Sequence, residues 1–140
     1  MAGYSGTPLH RKLGIKAGHR VALLDAPAGF ASALDGLPGG VVVSPALATD
    51  APVDVIVLFV TERRVLTPRL DEARRGMAQD GGLWVAWPKR VSKVPTDVTD
   101  HVVREVALPT GLVDNKVCAI DGTWSGLRLV IRRGNRVPVG

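Results

Sequence analysis

Three short stretches hold the side chains best suited to chemistry: DAPAG at 25–29, WPKRVSK at 87–93 and DGTWSG at 121–126. In the second, Lys89, Arg90 and Lys93 crowd one loop ahead of Thr96 and Asp97, either of which could cap a following helix. Cations beside the free N–H groups of a helix start make an anion-binding arrangement. A solvated basic loop explains the same residues with no ligand. Trp87 could wall that pocket, whereas Trp84 points to the opposite face of the strand and reads as core. In the third stretch Asp121, Thr123, Trp124 and Ser125 come together in a tight turn. There Trp124 could stack on a ligand or pin a hairpin to the body of the domain. The first stretch closes an apolar run, VALL, and opens like a phosphate-cradling turn with its glycines replaced. Pro27 offers no N–H, and Gly29 alone permits close backbone approach. Asp25 could receive a hydroxyl or an amine, or cap the next helix.

Other reactive types fit no catalytic pattern. Asp97, His101 and Glu105 stand at successive i, i+4 positions and could share a ligand. H-E-x-x-H is absent, and a polar face opposite Val98, Val102 and Val106 explains the ladder without a metal. Ser125 has no G-x-S-x-G setting, and no histidine has an evident path to it. Cys118 sits inside an apolar strand with no adjacent base and reads as buried core. His10 and His19 lie among basic residues, away from carboxylates. We assign no catalytic residue and expect neither a metal nor a cofactor.

These residues need elements to hold them. Thr7-Pro8 predicts a capped helix through LHRKLG, the body of an N-terminal arm over 1–18. RVALLDA, GVVVSPA, VDVIVLFV and GLWVAWP predict four strands, VDVIVLFV being β-branched almost throughout. Between them, Phe30, Ala33, Leu34 and Leu37 predict one helix. Leu70, Ala73 and Met77 predict another, capped at Thr67-Pro68 and ending at Asp80-Gly81-Gly82. Residues 96–108 predict a third, and KVCAIDG with LRLVIRR predicts a hairpin. Alternation of strand and helix implies an α/β, Rossmann-like three-layer sandwich. Its sheet would have about six mostly parallel strands and a C-terminal antiparallel hairpin. In such a sheet, ligands bind outside the carboxyl ends of the strands. That edge would receive Asp25 to Phe30, Ser44-Pro45, Thr61 to Arg63, Trp87 to Arg90 and Asp121 to Ser125. The expected ligand-binding set is therefore Asp25, Gly29, Trp87, Lys89, Arg90, Asp121, Thr123, Trp124 and Ser125.

At 140 residues, 46% hydrophobic and 22% charged, the chain has the balance of one globular domain. A single cysteine excludes an intrachain disulfide and a cysteine-based zinc cluster. No run has signal-peptide or membrane-spanning length, so a cytoplasmic protein without a membrane role is expected. The net charge of +5 resides at the ends. Residues 1–20 and 128–140 contain eight of the 18 lysines and arginines and no acid, and residues 133–140 read as a flexible basic tail. Such ends could bind nucleic acid, though solvated termini are the simpler account.

GYSGTPLHRKLGI, LWVAWPK and PTDVTDHVVREVALPTGLVDNKVCAIDGTWSGLRLVIR resemble a family of small bacterial proteins known as a domain of unknown function. The resemblance spans nearly the whole chain, with WPK and KVCAID…WSGL its most specific parts. It implies a compact bacterial cytoplasmic protein and carries over no site residue. The parallel sheet with a closing hairpin also resembles a shortened S-adenosylmethionine-dependent methyltransferase. The leading expectation is a non-enzymatic domain that binds a small anionic ligand or an acidic protein partner at the carboxyl edge. A degenerate methyltransferase-like enzyme and a nucleic-acid binder are the alternatives.

Overall fold

In the computed structural model, which describes residues 7–135, the β-branched run forms β3 (Val53–Phe59) at the centre of a six-stranded sheet. β1 (Arg20–Leu24) and β4 (Met77–Pro88) flank β3, both parallel to it. β2 (Val42–Ser44) pairs parallel with β1 at one edge. At the other edge β6 (Trp124–Ile131) runs antiparallel between β4 and β5 (Leu112–Ala119). The order is β2-β1-β3-β4-β6-β5, a Rossmann-like, mostly parallel sheet with a C-terminal antiparallel hairpin.

Both real helices cover the same face. α2 (Arg63–Gly76) buries Leu66, Leu70 and Ala73, and α3 (Asp100–Ala107) buries Val103 and Ala107, against Ile56, Leu58, Leu83, Val85 and Leu129 of the sheet. The opposite face is covered by the N-terminal segment and the β1–β2 connection. Leu13, Ile15, Phe30 and Leu34 pack there on Val21, Leu23, Val57 and Trp84. One polar contact fixes this thinner layer: the buried indole Nε1–H of Trp84 donates to the Leu13 carbonyl at 3.0 Å.

Several expected elements form elsewhere or not at all. The N-terminal helix is one turn, α1 (Leu9–Lys12), with Pro8 at the cap position and not at the first helical position. No α-helix follows β1. Gly29 and Gly36 adopt φ of 83° and 72°, leaving room only for a 3-10 turn at Ala31–Ala33, although Phe30 and Leu34 are still buried. α2 begins before Thr67-Pro68, so Pro68 lies inside it and not at its first position. The cap comes from far along the chain, where Asp97 Oδ1 accepts the Arg63 N–H at 2.7 Å. Thr96 is also engaged with this region, its hydroxyl donating to the Thr61 carbonyl at 2.6 Å. α3 is therefore capped by Thr99, which accepts the Val102 N–H at 3.2 Å.

Asp80-Gly81-Gly82 does not end a helix. Met77 already belongs to β4, and the register jumps from Val53↔Met77 to Val55↔Gly82, an irregularity that takes up three extra residues within the stretch 78–81. These glycines answer to close approach. A Cβ on Gly81 would stand 2.8 Å from the Asp54 carbonyl oxygen, and one on Gly82 would stand 2.5 Å from Arg128 Nε.

Trp84→Phe removes the sole donor described for the buried Leu13 carbonyl and leaves a gap beside it. We expect a loss of about 1–3 kcal/mol in urea unfolding. A variant as stable as wild type would show that the N-terminal segment is not fastened there.

Candidate functional site at the carboxyl edge

The chain passes from β1 outward to β2 and returns to β3 on the other side of β1. The order of strands therefore reverses between the carboxyl ends of β1 and β3, the usual place for a ligand. A cleft of about 280 Å³ opens there, lined by Asp25, Phe59, Val60, Thr61, Glu62, Val65 and Trp124.

Asp25 is the first residue beyond β1, at a φ of 57° that a non-glycine residue adopts only under local compulsion. Its Oδ2 lies 3.1 Å from both Nε and Nη2 of Arg69, on α2. Arg69 also donates to Glu72 at 2.6 Å. Burial works against the Arg69 charge, but hydrogen bonds to Glu72 and Asp25 outweigh it and hold the guanidinium above its ordinary range. Asp25 thus caps no helix: it ties the β1 turn to the opposite layer. Beyond it, Pro27 and Gly29 line a second recess of about 220 Å³ with Val43 and Pro45.

Trp124 reaches the cleft from the hairpin. Its ring is half-buried and stands perpendicular to Phe59 at 5.0 Å, and Phe59 meets Phe30 edge-on at 4.8 Å. Such pairs add about 0.5–1.5 kcal/mol each beyond burial. The turn that aims Trp124 is set by Asp121, whose Oδ1 accepts the N–H groups of Thr123 and Trp124, both at 2.8 Å. The Thr123 carbonyl accepts the Lys89 N–H at 2.7 Å, joining the end of β4 to the same turn.

The expected residues divide accordingly. Asp25 and Trp124 line the cleft, and Asp121 and Thr123 shape its turn. Gly29 belongs to the neighbouring recess. Lys89 and Arg90 lie outside the cleft lining, Arg90 exposed in a 3-10 turn that ends at Lys93 with φ 60°. Trp87 is buried in the core shared with α2 and α3, on the face opposite Trp124, and Ser125 pairs beside it in β6. Sequence reasoning missed Phe59, Val60, Val65 and Arg69. Phe59 carried a signal, an aromatic at the end of a central strand; Arg69 carried none.

The expected polar ladder is split, with Asp97 ahead of α3 and only His101 and Glu105 on it, and its carboxylates are engaged by Arg63. Asp97 faces the Arg63 amide, Glu105 pairs with Arg63 at 2.7 Å, and His101 stands 3.9 Å from Glu105. A hydrogen bond from Arg104 holds the Asp100 carboxyl below its usual range. Cys118 lies half-buried, and burial pushes its thiol up against the opposing pull of Lys12, Lys116 and Lys89. No helix among the described residues is long and apolar enough to cross a membrane. Of the basic ends, Arg20 pairs with Asp50 at 3.1 Å, and Arg136 lies outside the described residues, as does the tail from 136 on.

Residues 39–133 match the model of the family described as Protein of unknown function (DUF3052), and the chain belongs to that family. No curated protein matches it. Among solved structures, it is similar to a ribosomal protein L11 methylase from Lactobacillus delbrueckii subsp. bulgaricus, at 12% identity and a TM-score of 0.57, over 89% of this chain and 76% of that one. A SAM-dependent methyltransferase from Aquifex aeolicus matches at 16% identity and a TM-score of 0.55, over 87% of each chain. A TehB-like SAM-dependent methyltransferase from Corynebacterium glutamicum matches at 13% and 0.56, over 94% of this chain and 91% of that one. At such identities the likeness is one of fold: a methyltransferase-like Rossmann architecture.

Two measurements probe this edge. Asp25→Gly relieves the left-handed strain and loses one exposed ion pair, so it should unfold within about 1 kcal/mol of wild type. Asp25→Val keeps the strain, adds a branch and should lose about 2 kcal/mol or more. Equal melting of the two would show that the turn is not held at positive φ. Separately, the folded Cys118 thiol should react with a disulfide reagent at neutral pH far more slowly than the unfolded chain, since the thiolate is the nucleophile. Equal rates would contradict a shielded thiol.

Proposed function

We propose that this chain is a non-enzymatic binding domain on a methyltransferase-like scaffold. Its site would be the cleft between the ends of β1 and β3, taking a small ligand or a short segment of a partner protein. The observation that carries this reading is the pairing of Asp25 with Arg69. The carboxylate best placed to receive a cofactor hydroxyl or amine is already bonded, and the turn it anchors is stiffened by Pro27.

S-adenosylmethionine, on which the similar methyltransferases from Aquifex aeolicus and Corynebacterium glutamicum depend, does not fit these residues. Held at this turn, it would need backbone N–H groups and close approach, and Pro27 supplies neither. The acid expected about 20 residues beyond such a turn, to hold a ribose hydroxyl, has no counterpart at the end of β2, where Ser44 and Pro45 stand. Asp50 is bonded to Arg20 at the start of β1, on the other edge. The two recesses, about 280 and 220 Å³, each fall below the roughly 300–1,000 Å³ common for small-molecule sites.

The lining supports a ligand with an apolar group against Phe59, Val65 and Trp124 and hydrogen-bond donors facing Thr61 and Glu62. Asp121 and Thr123 would position Trp124, and Gly29 would leave the neighbouring recess open. A compact anion is less well matched here, because Lys89 and Arg90 stand outside the lining. An anionic ligand would reach them only at the rim.

Native mass spectrometry of the protein purified gently from its own host tests the proposal. We expect an added mass that is lost on denaturation and is absent from a folded Trp124→Ala variant. A clean apo mass would sink the small-ligand form. An added mass identified as S-adenosylmethionine or its demethylated product would overturn the non-enzymatic reading in favour of a reduced methyltransferase.

A further inference from the structure

At the amino edge of the sheet, on the face without long helices, a second cleft of about 360 Å³ gathers Arg11, Lys12, Lys16, His19, Lys116 and Arg128. We infer that this cleft is an anion site for a compact phosphate-bearing ligand, such as a polyphosphate or a phosphorylated small molecule. The inference is independent of the reading at the carboxyl edge, since no residue is shared.

The cations come from segments about a hundred residues apart. Arg11, Lys12 and Lys16 belong to the N-terminal segment, which Trp84 fastens to the sheet through Leu13. Lys116 and Arg128 are cross-strand partners in the β5–β6 hairpin. Only the fold brings them together. Opposing them in the lining are two carboxylates, Asp54 and Asp80. Asp54 already accepts the Arg20 N–H at 2.8 Å. Among the described residues, Arg11, Lys16 and Lys116 have no carboxylate partner, and like charges held within a Debye length repel. An anion in the cleft would relieve that repulsion.

Two details prepare the site. Lys16 donates its backbone N–H to His19 Nδ1 at 3.1 Å, so the neutral ring carries its proton on Nε2 as a donor. The guanidinium of Arg128 lies across Gly82, where a Cβ would come within 2.5 Å of Nε; the glycine leaves space for the arginine to lie flat on the sheet. The volume falls within the range of small-molecule sites, and among the described residues no Phe, Tyr or Trp lines the cleft to stack a base. These features favour a compact phosphate over a nucleic-acid strand.

The test is calorimetric titration of the full chain with inorganic triphosphate at low and at physiological salt. Lys16→Ala/Lys116→Ala is compared with Arg90→Ala/Lys93→Ala, which removes the same charge at the other edge. All four side chains are exposed, so both variants should melt like wild type. We expect saturable binding that weakens with salt, falls about tenfold or more in the first variant and less than about twofold in the second. No saturable binding, or equal loss in both variants, would overturn the site. Displacement of triphosphate by a tighter-binding DNA duplex would overturn the compact-ligand assignment in favour of a nucleic-acid surface.

Discussion

A sheet whose central strands are apolar on both sides needs cover on both faces, and here both helices longer than one turn lie on one of them. The second face must be closed by irregular chain. Irregular chain packs poorly unless something fixes it, and the buried hydrogen bond from Trp84 to the Leu13 carbonyl does so at 3.0 Å. Around it, Leu13, Ile15, Phe30 and Leu34 complete a core that two expected helices would otherwise have supplied. The thinness of this layer follows from the sequence: Pro27, Gly29, Gly36 and Pro38 leave no stretch long enough to nucleate an α-helix after β1.

This economy separates the chemistry of the two edges. At the carboxyl edge, the missing helix removes the N–H groups that a crossover helix would aim at an anion. Arg69 reaches over from α2 and ties down Asp25 instead, while Phe30, Phe59 and Trp124 form an aromatic wall. At the amino edge, fastening the N-terminal segment to β4 carries its cations to the hairpin. The methyltransferase-like fold thus has an aromatic and acidic cleft at the carboxyl edge and a basic cleft at the opposite end.

Much of the fold was legible because strands announce themselves locally. VALL, VDVIVLF and LWVAWP are too apolar and branched to be anything but covered strands, and the order of elements then fixes the class. Helix boundaries were less legible. Thr67-Pro68 has every local mark of a helix start, yet α2 begins at Arg63 because Asp97, 34 residues later, caps it. The glycines at 81 and 82 resemble a helix stop, although their reason is the nearness of Asp54 and Arg128. The site divided in the same way. Asp25 and Trp124 were legible as residues of the carboxyl edge because topology delivers strand ends there. Arg69 was not, since an arginine on a helix face has no local signature of the carboxylate it will meet. The basic cleft was visible only as charge at two ends of the chain; their convergence is a product of the fold.

In the proposed reading the β1 turn, tied by Asp25 to Arg69, is a structural turn and not a cofactor loop. Amide-resolved NMR during titration with S-adenosylmethionine tests it most directly, because it reads the turn residue by residue. The amides of Asp25, Ala26, Ala28, Gly29 and Phe30, and of Thr61 across the cleft, should keep their shifts to millimolar ligand. Saturable shifts confined to those residues would contradict it and restore a cofactor role to this edge.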